Sequence, residues 1–491
     1  MTRRADLPQT LPEAHALIET LMARLDRQAR LVEKQAKRIE DLERQLKQNS
    51  RNSSKPPSSD SPSAPTRPAK KSSGRAPGGQ SGHEGHQREL LPSARVDRLE
   101  HVWPARCEHC SKSLSDVALR VEVGDPLRHQ VTEIPPARAV VTEYQLHSQC
   151  CPGCRHTTTP ELPAGAPRGA FGPRLQAIAS MLSGLYRLSK RSLKCLLSDL
   201  FDVEISLGSI AACEQRTSQA LAAPVAELGD YVRAQATVNA DETSWRERRR
   251  KSWLWVAVTN SATIFMIHAR RGKVAARILL GSFAGILGSD RWCAYAYHPL
   301  RKRQLCWAHL RRHFEDFALY RGAAGSIGSS LLFYTTQMFA LWHKSIEEAW
   351  SRVRLQREMA PLQRSIGEAL GRGVDCGQRR VAGTCKQLLK HGPALWTFLR
   401  VEGVEPTNNA AERALRHAVI MRKTSFGTHS EDGSRFIERI LSTVATLRQQ
   451  HRSVLDYLED ACARAILQRR PRSLLPHGRI MTAEATKAAR K

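Results

Sequence analysis

The chain has 491 residues, with 76 Lys+Arg against 47 Asp+Glu, a formal charge of +29. Such a surplus repels itself unless a polyanion screens it, which puts nucleic acid ahead of an anionic membrane as partner. Apolar residues make up 41%, enough for a core and too many for a wholly disordered chain. No apolar run approaches the roughly 20 residues that a transmembrane helix needs, and no membrane partner is expected. The opening Met1-Thr2-Arg3-Arg4-Ala5-Asp6 has no apolar stretch behind its charges, so no secretory signal and a cytoplasmic, reducing location are expected. The 12 cysteines are then thiols or metal ligands rather than disulfides.

In chain order, Leu11, Ile18, Leu25, Val32, Ile39 and Leu46 recur every seven residues, and Leu21, Gln28, Gln35 and Leu42 form a second seam that is polar in its middle. The spacing predicts a helix over 10–48 that pairs with a second copy of the chain; the plainer alternative is an amphipathic helix packed on its own chain. Residues 49–88 read as a linker, Ser/Pro-rich at Asn52 to Asp60 and Gly-rich at Gly78 to Gly85. Its basic positions Arg67, Lys70, Lys71 and Arg75 suit either phosphate tracking or plain solvation.

Residues 89–165 carry two CxxC pairs, Cys107/Cys110 and Cys151/Cys154, separated by 40 residues. Each pair can place two sulfurs on one structural Zn²⁺. Alternation over Arg128–Ile134 and Ala139–Leu146 predicts a hairpin that unites them, broken at Pro135-Pro136. Cys150 adjoins the second pair as an alternative ligand, and His109 and His147 are further substitutes. Residues 166–230 read as helical: a helix over Leu185–Leu200, a turn at Phe201–Glu204, then Ser206 as N-cap of Leu207–Leu221. This order fits a helix-turn-helix DNA reader and, equally, an ordinary helical hairpin.

From residue 231 the pattern turns to strands. Thr237–Asp241 is a short run ending in a carboxylate; Trp253–Val258 and Thr263–Ile267 are apolar runs; Gly285–Asp290 ends in a second carboxylate; Leu305-Cys306-Trp307 precedes a helix at His309–Phe317. A mixed α/β sheet follows, with carboxylates at strand ends. Carboxylates so placed can converge on two Mg²⁺ or Mn²⁺ for phosphodiester chemistry. The candidate for a third is Glu412, in a loop at 406–409 that turns into a helix capped by Asn408 or Asn409. Taken singly, an Asp after a strand is more often a turn residue. Arg413, Arg416, Arg422, Lys423, Arg311, Arg312 and Asn409 are candidates for DNA contact, as are the clusters Arg246 with Arg248 to Lys251, and Arg301 to Arg303. His309 can position phosphate or bond to backbone at a helix start, the latter preferred. Trp253, Trp255 and Trp307 read as core.

The runs Asn52 to Asp60, Gly78 to His83, Asp241-Glu242-Thr243-Ser244-Trp245, Ser289-Asp290-Arg291-Trp292, Cys306 to Arg312 and Asn408 to Arg413 together resemble the bacterial insertion-sequence transposases of family sixty-six, the transposase C type. The resemblance runs over roughly residues 15 to 476, and Ser244 stands where the family more often has Gly. It implies a DDE-class enzyme with an α/β ribonuclease-H-like core, in which Asp241, Asp290 and Glu412 hold two Mg²⁺ or Mn²⁺ per active site. It further implies metal-dependent cleavage at insertion-sequence ends, transfer of the 3′-OH into target DNA, and small accessory proteins of the same element. The 122 positions between Asp290 and Glu412 are too many for one loop. They imply a first core part at 231–320, a helical insertion at 321–400 with helices such as Leu331–Val353 and Met359–Leu370, a second core part at 401–465, and a basic tail at 466–491. A nuclease without strand joining, a DNA-binding regulator and a disabled relative are the competing readings.

Overall fold

The computed structural model describes residues 10–47, 88–121 and 123–476. The linker expected at 49–88, all but Arg88, and most of the basic tail lie outside these. Two compact units are present, residues 65–140 and the remainder of the chain. Among the described residues no helix is long and apolar enough to cross a membrane.

Helix α1 spans Leu11–Lys47, close to the expected 10–48. Its stripe, including Ile18, Leu25, Val32 and Ile39, is exposed. Among its described residues, the unit at 65–140 holds little regular structure: single 3₁₀ turns at Ser93–Arg95 and Val117–Leu119, and one antiparallel bridge, Arg106 to Ser113. The expected strands at 128–134 and 139–146 do not form. Pro135 and Pro136 offer no amide hydrogens, and alternation makes a strand only where a partner supplies a ladder and an apolar face to cover. Here Ile134 is 83% exposed and Val140 93%. The regular pairing near the second CxxC is shorter, β1 (Gln149–Cys150) against β2 (Thr157–Thr158).

Three helices follow. α2 (Pro173–Gly184) begins on a proline, whose missing amide hydrogen is no loss in a first turn. α3 (Lys190–Phe201) and α4 (Leu207–Arg233) are each capped by a serine, Ser189 and Ser206, whose hydroxyls accept from Ser192 and Ser209 N–H. Leu193, Leu197, Ile205 and Ile210 close a small core between them. The expected helix over 185–200 starts later, and α4 runs well past Leu221, because Leu221, Leu228 and Val232 bury into the main core.

That core surrounds a five-stranded sheet ordered β5-β4-β3-β6-β7. β3 (Thr237–Glu247), β4 (Arg250–Val258) and β5 (Thr263–His268) form an antiparallel meander; after α5 (Lys273–Leu280), β6 (Ile286–Ser289) and β7 (Arg303–Leu305) add in parallel. The sheet is mixed, as expected. β3 is longer than expected, and Asp241 lies in its middle rather than at its end. The β3–β4 hairpin turns on Arg248 and Arg249, both in the left-handed region. Gly427 lies against it, with a positive φ, and a Cβ there would meet the Arg246 carbonyl oxygen at 2.2 Å.

α6 (Trp307–Phe317) leads into the insertion: α7 (Gly322–Glu347), α8 (Arg352–Val374), α9 (Arg379–Lys390), α10 (Gly392–Leu395) and α11 (Thr397–Arg400). The helix expected over Leu331–Val353 is interrupted, since Ala349 is left-handed and Ser351 caps α8. The insertion has its own core, from Phe314, Leu331, Met359, Leu388 and Phe398 among others. The chain returns through α12 (Asn409–Ser425), α13 (Glu431–Gln449) and α14 (Val454–Ile466). α12 packs on β3 and β4, and α13 runs along the β5 edge. Glu438, Ser442 and Thr446, one helical turn apart, accept from the N–H groups of Ile267, Phe265 and Thr263. The open sheet edge is thus satisfied by helix side chains.

Candidate active site

Adjacent strands set the first two carboxylates. β3 and β6 pair in parallel with Asn239 opposite Gly288. Asp290 directly follows β6, and that register, continued two residues, aligns it with Asp241 on the neighbouring strand, where strands are spaced about 4.8 Å apart. Asp241 Oδ1 accepts from the Glu242 N–H at 2.9 Å, and Asp290 Oδ1 from the Trp292 N–H at 2.9 Å. Glu412 arrives on the first turns of α12, and Asn408 seats that helix. Asn408 is fully buried and does not cap with its side chain. Its Nδ2 donates instead to the Ala240 carbonyl at 2.9 Å, one residue from Asp241, and its N–H donates to Cys306 Sγ at 3.2 Å.

The electrostatics mark the three acids as neighbours, although among the described residues their ligand atoms do not all lie within 4.8 Å of one another. Burial, then the charges of Glu242, Asp290 and Glu412, hold the Asp241 carboxyl well above the usual carboxylate range. Glu412 Oε1 lies 3.3 Å from His309 Nδ1, and its Oε2 3.7 Å from Arg312. Neither His309 Nδ1 nor Glu412 Oε1 makes a hydrogen bond, although both are buried. His309 therefore faces a carboxylate through Nδ1, not the backbone as preferred from the sequence. Burial lowers its pKa, opposed by Glu412 and Asp290. The ligand atoms of Cys306, His309 and Glu412 all lie within 4.8 Å of one another.

A fourth acid, Glu242, shares the neighbourhood and was missed. It accepts from Arg271 Nε at 2.9 Å and from the Tyr295 hydroxyl at 2.7 Å. Burial and then Asp290 raise its pKa. Arg271 stacks on Trp253 at 4.8 Å and Trp292 at 4.3 Å, so one clamp joins β3, β4 and the turn carrying Asp290. The visible signal was a second acid directly after Asp241; its partners lie 29 and 53 positions away and carry no local mark.

The basic candidates divide. Asn409, Arg311 and Arg312 line one cleft with Thr407, His343 and Phe339. Arg413, Arg416 and Lys423 are exposed, spaced along one face of α12. Arg422 instead gives its Nη1 to β3, donating to Thr243 Oγ1 at 3.1 Å and to Ser244. Arg246 and Arg248 to Lys251 are exposed, as are Arg301 and Lys302. Arg303, grouped with the latter pair as a DNA contact, is buried and donates to Ser289 Oγ and the Asp290 carbonyl, both at 3.3 Å. Trp255 and Trp307 are fully buried, while Trp253 is half-buried under Arg271.

The two CxxC pairs belong to different units and close the same kind of loop. Cys107 N–H donates to the Lys112 carbonyl and Ser111 N–H to that of Cys107, both at 2.9 Å, with Ser111 left-handed. Cys151 N–H donates to His156 at 2.9 Å and Arg155 N–H to Cys151 at 2.8 Å, with Arg155 left-handed. In each loop backbone N–H groups point at the first thiol and lower its pKa: those of Cys110 and His109 for Cys107, those of Cys154 and Gly153 for Cys151. Cys150 turns its thiol toward the Arg155 carbonyl, at 3.3 Å.

Comparison with known proteins agrees with this architecture. The family model described as "Transposase IS66 family" matches residues 172–435, and one described as a "Family of unknown function" (DUF6444) matches residues 3–89. A protein of Sinorhizobium fredii named "Uncharacterized protein y4qI" is 27% identical over 273 residues, 48% of this chain and 50% of that protein. The chain therefore spans about half the length of this curated relative.

Proposed function

This chain belongs to the IS66 transposase family, and we propose that it is a DNA transposase that cleaves the ends of an insertion sequence and transfers the freed 3′-OH into target DNA. Membership carries a transposase role with DNA as partner and divalent metal use; the residues and steps are our assignment. Asp241, Asp290 and Glu412 are the proposed metal ligands, and the observation that carries them is the register that sets Asp290 beside Asp241 while Asn408 ties α12 to the neighbouring Ala240.

The residues present fit a pair of hard dications. The donors of the trio are oxygens, which suit Mg²⁺ or Mn²⁺. Asp241 is surrounded by acids that leave it short of positive charge, and Glu412 Oε1 is buried without a hydrogen bond. Two ions held by Asp241, Asp290 and Glu412 would supply charge stabilisation to an in-line displacement at phosphorus. The chain's own groups do the rest. The Trp292 N–H and the Arg303 guanidinium fix the turn that carries Asp290, and the Arg271 clamp ties Glu242 to Trp253 and to Trp292 beside that turn. Arg311, Arg312 and Asn409 take the phosphate of the reacting strand in the cleft beside Glu412. Arg413, Arg416 and Lys423 track the backbone along α12, and the Arg248–Arg249 turn adds an exposed basic tip. The sheet order, three antiparallel strands followed by two parallel ones, supports the ribonuclease-H-like reading.

We assign the CxxC pairs Cys107/Cys110 and Cys151/Cys154 to structural Zn²⁺ binding, on the geometry that each loop has by itself, and prefer Cys151 to Cys150. The exposed stripe of α1 is assigned to pairing of two chains, so that both element ends react in one assembly. Helices α2 to α4 and the zinc region then grip the terminal repeats, and small accessory proteins of the element complete the assembly. Glu412→Gln tests the central assignment: it is expected to abolish cleavage and strand transfer on DNA carrying the element's ends while leaving end binding nearly intact. A variant that still joins ends to target refutes it. Pre-cut 3′-OH ends separate a transposase from a nuclease, since only the former joins them.

A further inference from the structure

The neck between the sheet and the insertion holds a second set of ligands, of a different chemical kind. Cys306 follows β7 and His309 stands three residues on, in the first turn of α6. The start of α12 lies against them, because the Asn408 N–H donates to Cys306 Sγ. Cys306 is buried, and His309 and Glu412 are half-buried; one ligand atom from each lies within 4.8 Å of the other two. His309 Nδ1 and Glu412 Oε1 are 3.3 Å apart. Around a tetrahedral ion with metal–ligand bonds of about 2.0 to 2.1 Å, the nitrogen–oxygen edge is also about 3.3 Å. Both atoms are buried without a hydrogen bond. Buried polar atoms are rarely left so. A shared cation between them and the thiol answers both.

We propose that Cys306, His309 and Glu412 form a Zn²⁺ site that shares Glu412 with the acidic trio. A thiolate and an imidazole suit zinc and are poor ligands for Mg²⁺, so this set is distinct from Asp241, Asp290 and Glu412. Among the described residues no fourth His, Cys, Asp or Glu joins the group. Three protein ligands leave one tetrahedral position open to water or to a phosphate oxygen. Binding converts the Cys306 thiol to a thiolate and releases its proton to solvent. Glu412 cannot serve both ions through Oε1, so Zn²⁺ and Mg²⁺ compete at this carboxylate. That competitive consequence rests on the proposed transposase reading; zinc binding itself does not.

The test is equilibrium dialysis of the full-length protein against buffered micromolar free Zn²⁺, without DNA, with zinc counted per chain. The wild type is expected to carry one more equivalent than Cys306→Ser and one more than His309→Gln. Cys107→Ser serves as the reference for zinc held elsewhere and is expected to keep the equivalent that the other two lose. Circular dichroism establishes that each variant is folded; if Cys306→Ser is not, the half-buried His309 decides alone. Equal zinc content in the wild type and the folded neck variants overturns the proposal. A wild type that binds this zinc yet, once stripped of it, cuts no DNA carrying the element's ends in Mg²⁺ would instead overturn the transposase reading and leave the zinc site standing.

Discussion

Replacing Asp241 by Asn separates a metal site from a merely polar pocket. With no cation bound, Asp241 is a buried acid beside Asp290, with Glu242 and Glu412 close enough to raise its pKa. At the spacing of adjacent strands, about 4.8 Å, two unit charges repel by about 3.5 kcal/mol at an effective dielectric constant of about 20. The folded-state pKa is raised above the unfolded value of about 3.9. Stability is therefore fully present below that unfolded value and is lost as pH rises through the folded one. At pH 8 without divalent metal, Asp241→Asn removes the cost of burying an acid among acids and keeps an acceptor for the Glu242 N–H. It is expected to stabilise the fold by about 1 to 3 kcal/mol, or about 2 to 4 °C in Tm per kcal/mol for a unit of 150–250 residues. Saturating Mg²⁺ reverses the order: the wild type gains about 2.7 kcal/mol at a hundredfold excess over Kd, and the variant gains little. Thermal denaturation followed by circular dichroism, in EDTA and in Mg²⁺, reads both effects. A variant less stable than the wild type in EDTA at pH 8, or equal Mg²⁺ stabilisation of the two proteins, refutes the reasoning.

Burial pushes Glu438 up to about 7, against the lowering effect of Arg435 and of the Ile267 N–H. Its stabilising contribution is thus present below the ordinary Glu range and lost as pH rises through about 7; Glu438→Gln, which can still accept from Ile267, should flatten the fall in Tm between pH 6 and 9. Cys151→Ser is expected to remove the zinc bound at the second CxxC pair and Cys150→Ser to keep it, as measured by atomic emission on the purified chain; the reverse result would exchange the ligand assignment. Arg271→Lys keeps a charge for Glu242 and loses the planar stack between Trp253 and Trp292. It should raise the Mg²⁺ concentration for half-maximal cleavage about 10-fold, as support shells of metal sites do, and unchanged Mg²⁺ dependence would show that the clamp does not position Asp290.

Local signals in the chain mark some of these features and miss others, for physical reasons. The apolar runs at Trp253–Val258 and Thr263–Ile267 are strands because their side chains fill a core that composition already requires. Ser206 caps α4 because a hydroxyl before a helix has few better partners than the orphan N–H groups there. The length of β3 was hidden, since Glu242, Thr243 and Ser244 look like a polar turn. Their ladder to β4 continues because Glu242 finds Arg271 and Tyr295, and Ser244 finds Arg422. The burial of Arg303 was hidden likewise, as its partners are a backbone carbonyl and a hydroxyl of the preceding parallel strand. Over 128–146 the error ran the other way. The alternation is genuine, but a pattern of period two is only permission to form a strand. The Cys306–His309 spacing was visible as CxxH, and it went unread as a ligand pair because its third member lies on another helix, past the whole insertion.

The long gap between Asp290 and Glu412 becomes intelligible from the neck rather than from the insertion's body. The Trp307 N–H donates to the Pro406 carbonyl at 3.0 Å, the Cys306 N–H to Ser289 at 2.9 Å, and the Phe398 N–H to Gln304 Oε1 at 2.8 Å. These bonds fasten both ends of the insertion to β6 and β7, while helices α7 to α9 close a core of their own. Glu412 is then located by Asn408 and Pro406, both within six residues of it, and by strands that precede the insertion. Loop-closure entropy grows only with the logarithm of length, so many residues between two anchored ends add little penalty once the ends are pinned. What the site cannot tolerate is a loose neck: Asn408 is buried, its carboxamide donates to the Ala240 carbonyl, and that carbonyl is the one next to Asp241. The side chain that reads as a helix cap in the sequence is therefore the link on which the third acid depends.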